Sequence, residues 1–326
     1  MTPNRSAAPL GSAAPLGSVS PLGFGAASLG NLYRETTDDE AREAVDRAWA
    51  RGIRSFDTAP HYGLGLSERR LGEALGGRPR ADYVLSTKVG RLLVPNEHPT
   101  GRDPDFAVPD DLRRQWDFSR DGILRSLEQS LERLGTDRVD VLYVHDPEQH
   151  SERAAWEAAE TLTALRDEGV IAARGVGTNS ARQLPALFAA DAVDVAMLAG
   201  RYTLLEQVSA LPALAAAEQH GKSVVAVGVF NSGLLASARP APDAHYDYGP
   251  APLTLVEKAV RIAEVCEAHG VSLPQAAIAF PLQHPAVVNV TLGMRTAQQV
   301  DRNADLFAAP VPDTLWAALR SAGLLP

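Results

Sequence analysis

The sequence predicts an α/β fold, a single (β/α)8 TIM barrel with long loops at its mouth, on three observations. Strand-like and helix-like segments alternate from about residue 22 to the C-terminus, which calls for a parallel sheet. Eight such units within 326 residues match the size of a closed eight-stranded barrel. Polar residues, among them Asp57, Lys88 and His145, stand at the C-terminal ends of consecutive strands. In a barrel those ends converge on one mouth, whereas a doubly wound sheet, the competing architecture, spreads them along an edge.

The first residues carry a short repeat: Ser6-Ala7-Ala8-Pro9-Leu10-Gly11 recurs over 12–17 and, altered, over 18–23. Residues 1–21 are rich in Ala, Pro, Gly and Ser and read as a poorly ordered segment ahead of a barrel domain at 22–326. The first strand is read at 25–29. A helix follows over 37–51, with Ala41, Ala44, Val45, Ala48 and Trp49 at helical spacing. Then come a strand at 53–57, a helix at 67–75 with Ser67 as its N-cap, a strand at 83–88, a helix at 121–134 ended by Gly135, and a strand at 139–145. The alternation continues with a helix at 152–167, a strand at 173–178, a helix at 181–189, a strand at 193–199, a helical region at 204–220 and a strand at 223–229. Helices at 256–269 and 272–282, a strand at 287–292 and helices at 297–306 and 314–321 complete the chain. Two loops at strand C-termini, 90–120 and 231–252, are long and carry aromatic residues such as Trp116, Tyr246 and Tyr248, so they are expected to form a substrate lid without regular structure.

Hydrophobic residues make up 45% and charged residues 22% of the chain, as in globular proteins. A net charge of -9 disfavours nucleic acid and anionic membranes as partners. No apolar run approaches the roughly 18 residues of a membrane span, and the N-terminus lacks the apolar core of a secretory signal. Cys266 is the single cysteine, so no intrachain disulfide forms, and on a helix it reads as a core filler. The histidines lack zinc spacing, and no metal is expected. These features point to a cytoplasmic protein, monomer or homodimer, acting on a small molecule.

The chemistry is concentrated in four residues. Asp57 and Tyr62 lie in Ser55-Phe56-Asp57-Thr58-Ala59-Pro60-His61-Tyr62-Gly63, Lys88 closes one apolar run and His145 another. A carboxylate, a phenol, an ammonium and an imidazole at strand ends make a proton-transfer site, because a lysine cation favours phenolate and a carboxylate keeps that lysine charged. Taken singly, Asp57 reads as a helix cap, Tyr62 as a core aromatic and His145 as filler of a polar pocket. Lys88 is harder to explain that way, since lysine is rarely buried unpaired.

The segments 56–63 and 85–88 resemble the first two active-site motifs of aldo-keto reductases, and His145-Asp146-Pro147 resembles the third. Gly175-Val176-Gly177-Thr178-Asn179 resembles the segment that holds the nicotinamide carboxamide, and Gly293-Met294-Arg295-Thr296 with Gln299 and Asn303 resembles the segment that grips the adenosine phosphate. The likeness runs from about Leu22 to the C-terminus. It implies hydride transfer to or from a nicotinamide cofactor. Tyr62 would exchange the proton, Lys88 paired with Asp57 would lower the phenol pKa, and His145 would hydrogen-bond the substrate oxygen. Thr178 and Asn179 would hold the carboxamide. Phe230, Ser232 and Gly233 are further cofactor contacts by this likeness, Phe230 as the aromatic that stacks on the nicotinamide. His61 and Trp116 are the expected substrate contacts.

Residues 59–68, 199–205 and 229–235 are similar to a group of bacterial sugar dehydrogenases within that family, acting on L-fucose, D-arabinose and related D-threo-aldoses, with a sister group acting on pyridoxal. The implied reaction is NAD(P)-dependent oxidation of an aldose at C1 to the lactone. The alternatives are pyridoxal 4-dehydrogenation to 4-pyridoxolactone and NADPH-dependent reduction of aldehydes or ketones. A nicotinamide-binding subunit without turnover and a Schiff-base enzyme using Lys88 are more remote. Gly293 and Gln299 stand where the family often has basic residues for the 2′-phosphate, leaving Arg295 and favouring NAD over NADP. Met197 stands where a glutamine partner of the carboxamide is expected.

Overall fold

The computed structural model describes residues 20–241, 244–247 and 249–326. The repeat over 6–17, and Pro242 and Tyr248 of the second long loop, lie outside these residues. The strands are β1 (Leu22–Gly25), β2 (Ser55–Asp57), β3 (Val84–Val89), β4 (Arg91–Pro95), β5 (Leu112–Trp116), β6 (Val141–His145), β7 (Ala173–Thr178), β8 (Val195–Ala199), β9 (Ser223–Val227), β10 (His245–Tyr246), β11 (Gly249–Pro250) and β12 (Val287–Gly293). Eight of them close a parallel barrel in the order β1-β12-β9-β8-β7-β6-β3-β2. The helices are α1 (Asp38–Ala50), α2 (Leu66–Leu75), α3 (Arg120–Leu134), α4 (Ala154–Asp167), α5 (Leu184–Ala189), α6 (Leu211–Gln219), α7 (Leu253–Ala268), α8 (Leu273–Ala279), α9 (Ala297–Ala308) and α10 (Asp313–Ser321).

Local chemistry sets several helix boundaries. Thr37 caps α1 in a reciprocal pair with Glu40. Ser119 caps α3, and Gly135, at φ 62, ends it in the left-handed conformation that glycine adopts without strain. The barrel interior is filled by Val141, Tyr143, Ala173, Val195, Met197, Val225 and Val288. Gly175 is required there, because a Cβ would overlap the Tyr143 ring. Cys266 is buried in the layer between barrel and helices, where burial pushes its thiol up to about 12.

Three expectations are corrected. The first strand lies at Leu22–Gly25, not 25–29, and Ala26–Gly30 forms a 3-10 helix. Pairing with β12 ends at Gly25, and the short apolar run beyond it carries no periodicity that separates strand from helix. Ser67 does not cap α2: Gly65, at φ 86, stands at that position. The Ser67 hydroxyl is buried, donating to the Ala26 carbonyl at 2.7 Å and meeting Thr58 Oγ1 at 2.8 Å. The long loops are not structureless: β4 and β5 pair antiparallel within 90–120 and β10 and β11 within 231–252, and Leu93 of β4 joins Phe106 and Val108 of the connecting stretch on Leu64 as a second small core.

Candidate active site

Strand register brings the predicted quartet together. Asp57 pairs with Ser86, Lys88 with Tyr143 and His145 with Gly177, so the side chains rise in steps around one sector of the barrel mouth. Lys88 is 2% exposed. Its ammonium donates to Asp57 Oδ2 at 2.6 Å and to the Thr58 carbonyl at 2.8 Å, while Ser86 Oγ donates to Asp57 Oδ1 at 2.7 Å. Burial alone would strip the proton from such a lysine; the Asp57 carboxylate and the Tyr62 hydroxyl outweigh it, and the Lys88 pKa stands above its ordinary value. Lys88 Nζ lies 4.7 Å from the centre of the Tyr62 ring.

Tyr62 is carried to this point by an unusual turn. Gly63, Leu64 and Gly65 all have positive φ, and Gly63 packs so closely on Gly30 that a Cβ would overlap its backbone. The Tyr62 ring meets His145 edge-on at 5.8 Å, and His61 meets His145 at 5.5 Å. The Tyr62 phenol is raised above its ordinary pKa by burial, with Lys88 pulling the other way. The expected lowering by Lys88 is thus present as one influence, and burial exceeds it. His145 is held well below its ordinary pKa by burial and by the nearby cations Arg91 and Lys88. His61 is pushed down to about 2, by burial first and then by Arg91, Arg114 and Lys88. Both imidazoles are neutral, and each has a buried Nδ1 without a partner among the described residues.

A cleft of about 470 Å³ opens over these groups, walled by His61, Tyr62, Lys88, His145, Gly177, Thr178, Asn179 and Met197. Tyr33, Arg91, Asp105, Phe106, Asp146 and Gln149 also line it, and residue-by-residue reading nominated none of these. Asp146 was within a quoted motif, but its partnership with Arg91 at 2.6 Å comes only with the fold. Asp146 is raised to about 6, by burial chiefly, against the pull of Arg91. Trp116 does not line the cleft; it stacks on Phe118 and supports the Arg91 guanidinium, 4.6 Å from its ring centre. His61 does line it.

The cleft continues into a smaller one of about 190 Å³ through Tyr33, Asn179 and Ala199, toward Gly200, Gly228, Asn231, Ser232 and Tyr246. The Asn179 amide donates to Asp146 Oδ1 at 3.0 Å, its N–H donates to Glu148, and its carbonyl accepts from Arg201 at 2.8 Å. Thr178 Oγ1 donates to Glu148 at 2.7 Å. Ser232 lines the smaller cleft, with Gly233 beside it at φ 97. Phe230 packs against the core and lines neither cleft; Tyr33, 69% exposed, is the aromatic at their junction. Asn231 Oδ1 is buried without a partner among the described residues, an acceptor left over at the edge of this groove. An elongated polar groove with such an orphan, meeting a proton-transfer site, fits a nicotinamide dinucleotide.

At the expected phosphate end, the residues are turned inward. The buried Arg295 guanidinium donates to the carbonyls of Ser28, Leu32 and Arg34 and to the Thr36 hydroxyl. Gln299 Oε1 accepts from the Arg295 N–H at 2.7 Å, and Asn303 lies one turn further along α9, buried.

A parallel barrel with this site at its mouth defines a class, the barrel oxidoreductases that move a hydride and a proton together. The Aldo/keto reductase family profile matches residues 21–323, and the chain belongs to that family. It is 49% identical over 308 residues to a D-threo-aldose 1-dehydrogenase of Pseudomonas sp, covering 93% of this chain and 94% of the relative. It is 38% identical to a pyridoxal 4-dehydrogenase of Microbacterium luteolum, covering 92% and 93% of the two chains. Among solved structures, the holo form of an aldo-keto reductase from Bacillus halodurans superposes with a TM-score of 0.76 at 26% identity, covering 98% of this chain and 96% of that one. Aldo-keto reductases use NAD(P)(H).

Proposed function

We propose that this chain oxidises an aldose of the L-fucose, D-arabinose or related D-threo type at its anomeric carbon, with NAD(P), to give the lactone. The observation that carries the chemistry is the buried Lys88–Asp57 pair at 2.6 Å beneath Tyr62, facing a neutral His145. The substrate class comes from the 49% identical relative and from a cleft lined by Arg91, Asp105, Asp146 and Gln149, groups suited to hydroxyls.

A nicotinamide cofactor bound along this groove would supply the acceptor for the hydride of the anomeric C–H bond. Tyr62 takes the proton of the anomeric hydroxyl as general base. Lys88 stabilises the phenolate from which Tyr62 acts as base, and Asp57 keeps Lys88 charged and aimed. His145, being neutral, has one N–H to donate to the same oxygen and so orients the sugar. Because Tyr62 rests as a buried phenol, the oxidative rate rises toward alkaline pH. Thr178 and Asn179, with Ser232 and Gly233 beyond them, would line the cofactor's path. NAD is preferred to NADP: Arg295 is engaged with backbone carbonyls, Gln299 with the Arg295 N–H, and Gly293 has no side chain to offer a phosphate.

Pyridoxal oxidation is the second reading, favoured by the 38% identical relative and by the aromatic walls Tyr33 and Phe106. The barrel domain is taken as 22–326 with a separate segment at 1–21, and the enzyme as a cytoplasmic monomer or homodimer. Turnover of L-fucose, D-arabinose, L-galactose and pyridoxal, each with NAD and NADP, tests these readings. Lactone formation from an aldose with NAD supports the first; activity confined to pyridoxal replaces it with the second.

A further inference from the structure

We propose that Arg91 is the specificity-determining residue that reads the ring hydroxyls next to the anomeric carbon, with Asp146 and Trp116 as the groups that position it. The inference rests on the aldose reading above and names what selects the sugar.

Arg91 follows Gly90, whose φ of 103 turns the chain sharply after β3 and whose missing Cβ makes room for the Phe118 ring. The turn drops the guanidinium into the cleft three residues after Lys88. There it is 8% exposed. Nη2 donates to Asp146 Oδ2 at 2.6 Å and to Gln149 Oε1 at 3.1 Å, and the Trp116 ring supports its plane. Among the described residues Nε is buried with no partner and Nη1 makes no hydrogen bond. Three of the five guanidinium N–H groups are therefore unused, and the two on Nη1, on a residue that lines the cleft, are the donors a ligand there can take.

The ligand class follows from charge and place. Asp146 already balances the Arg91 charge, so the unused donors suit neutral oxygens better than an anion. Asp146 Oδ2 also lies 3.6 Å from His145 Nε2, so Arg91 stands one carboxylate oxygen away from the imidazole that faces the reacting oxygen. Ring hydroxyls on the first carbons after the anomeric one come within reach from that position. Asp105, on the same wall, supplies an acceptor for the hydroxyl protons.

The test compares the wild type, Arg91→Gln and Arg91→Lys on one good aldose and on its 2-deoxy and 3-deoxy analogues, recording kcat and KM separately along with the cofactor Kd. The wild type is expected to lose about 10–100-fold in kcat/KM on at least one deoxy sugar. Arg91→Gln is expected to lose a similar factor on the parent sugar, no longer to separate parent from deoxy sugar by more than about twofold, and to keep its cofactor Kd. Arg91→Lys keeps the point charge without the planar fork, so reduced discrimination in a folded Arg91→Lys carries the inference even if Arg91→Gln does not fold. Equal losses on parent and deoxy sugars would mean a merely structural role and overturn the inference, as would undiminished discrimination in either variant. A wild type that turns over no aldose would overturn the aldose reading itself, and this inference with it.

Discussion

At the barrel mouth the Lys88 ammonium and the Asp57 carboxylate are buried, fixed at 2.6 Å, with Tyr62 and His145 lining the cleft above them; at the far end Arg295 and Gln299 direct their polar atoms at the protein itself. Both ends use buried charge, but they use it differently. At the mouth, charge is compensated by charge and tunes a neighbour. At the far end, charge is compensated by carbonyl oxygens and fastens the loop over 28–36 to the barrel. A buried arginine is therefore a poor sign of phosphate recognition unless its donors point outward, whereas a buried lysine beside a phenol and a carboxylate has few structural uses.

Substitutions at each end break this comparison in different ways. The largest effect is expected for Tyr62→Phe, which keeps the ring beside Lys88 but removes the proton carrier: kcat/KM falls by about 10²–10⁴-fold while cofactor still binds, as read by quenching of protein fluorescence. Lys88→Met leaves Asp57 charged and buried. It should cost about 3–5 kcal/mol of stability in urea titrations and move the alkaline rise of any residual activity to higher pH, since the pull of Lys88 on the phenol is gone. Arg295→Met should cost about 2–3 kcal/mol through its lost carbonyl acceptors, yet leave the ratio of NAD to NADP efficiency within about twofold. A large drop in NADP efficiency alone would return Arg295 to the phosphate site.

The smallest effect is a pH dependence. His61 is ordinarily at 6.5 and is pushed down to about 2 in the fold. The unfolded chain therefore takes up a proton that the folded chain refuses, and stability is lost as pH falls through 6.5. His61→Gln removes that proton, so its urea midpoint should fall less than that of the wild type between about pH 7 and pH 5.

The same contrast explains what could be read from the sequence. The barrel was legible because strands and helices alternate, and the quartet because each member ends or follows a strand whose neighbours are apolar. The start of β1 was not, since Ala26, Ala27 and Leu29 suit a strand or a 3-10 turn equally until β12 fixes the register. The β4–β5 hairpin was hidden because its strands are separated by a Pro- and Asp-rich stretch and carry arginines where alternation would be sought. Trp116 was read as a substrate contact and Arg295 as a phosphate contact, but whether a ring or a guanidinium faces the cleft or the protein depends on the direction of a single side chain. Arg91, Phe106 and Asp146 enter the site only through tertiary contacts, which no spacing rule reports.

The central claim is that this site removes the anomeric hydride of an aldose, and an aldose deuterated at that carbon tests it most directly. Incubated with NAD and the wild-type protein, it should yield the lactone and a reduced cofactor carrying the deuterium, as seen by mass spectrometry. Tyr62→Phe should yield both at a rate lower by about 10²–10⁴-fold. No reduced cofactor from any aldose, or reduced cofactor without the label, would contradict the account.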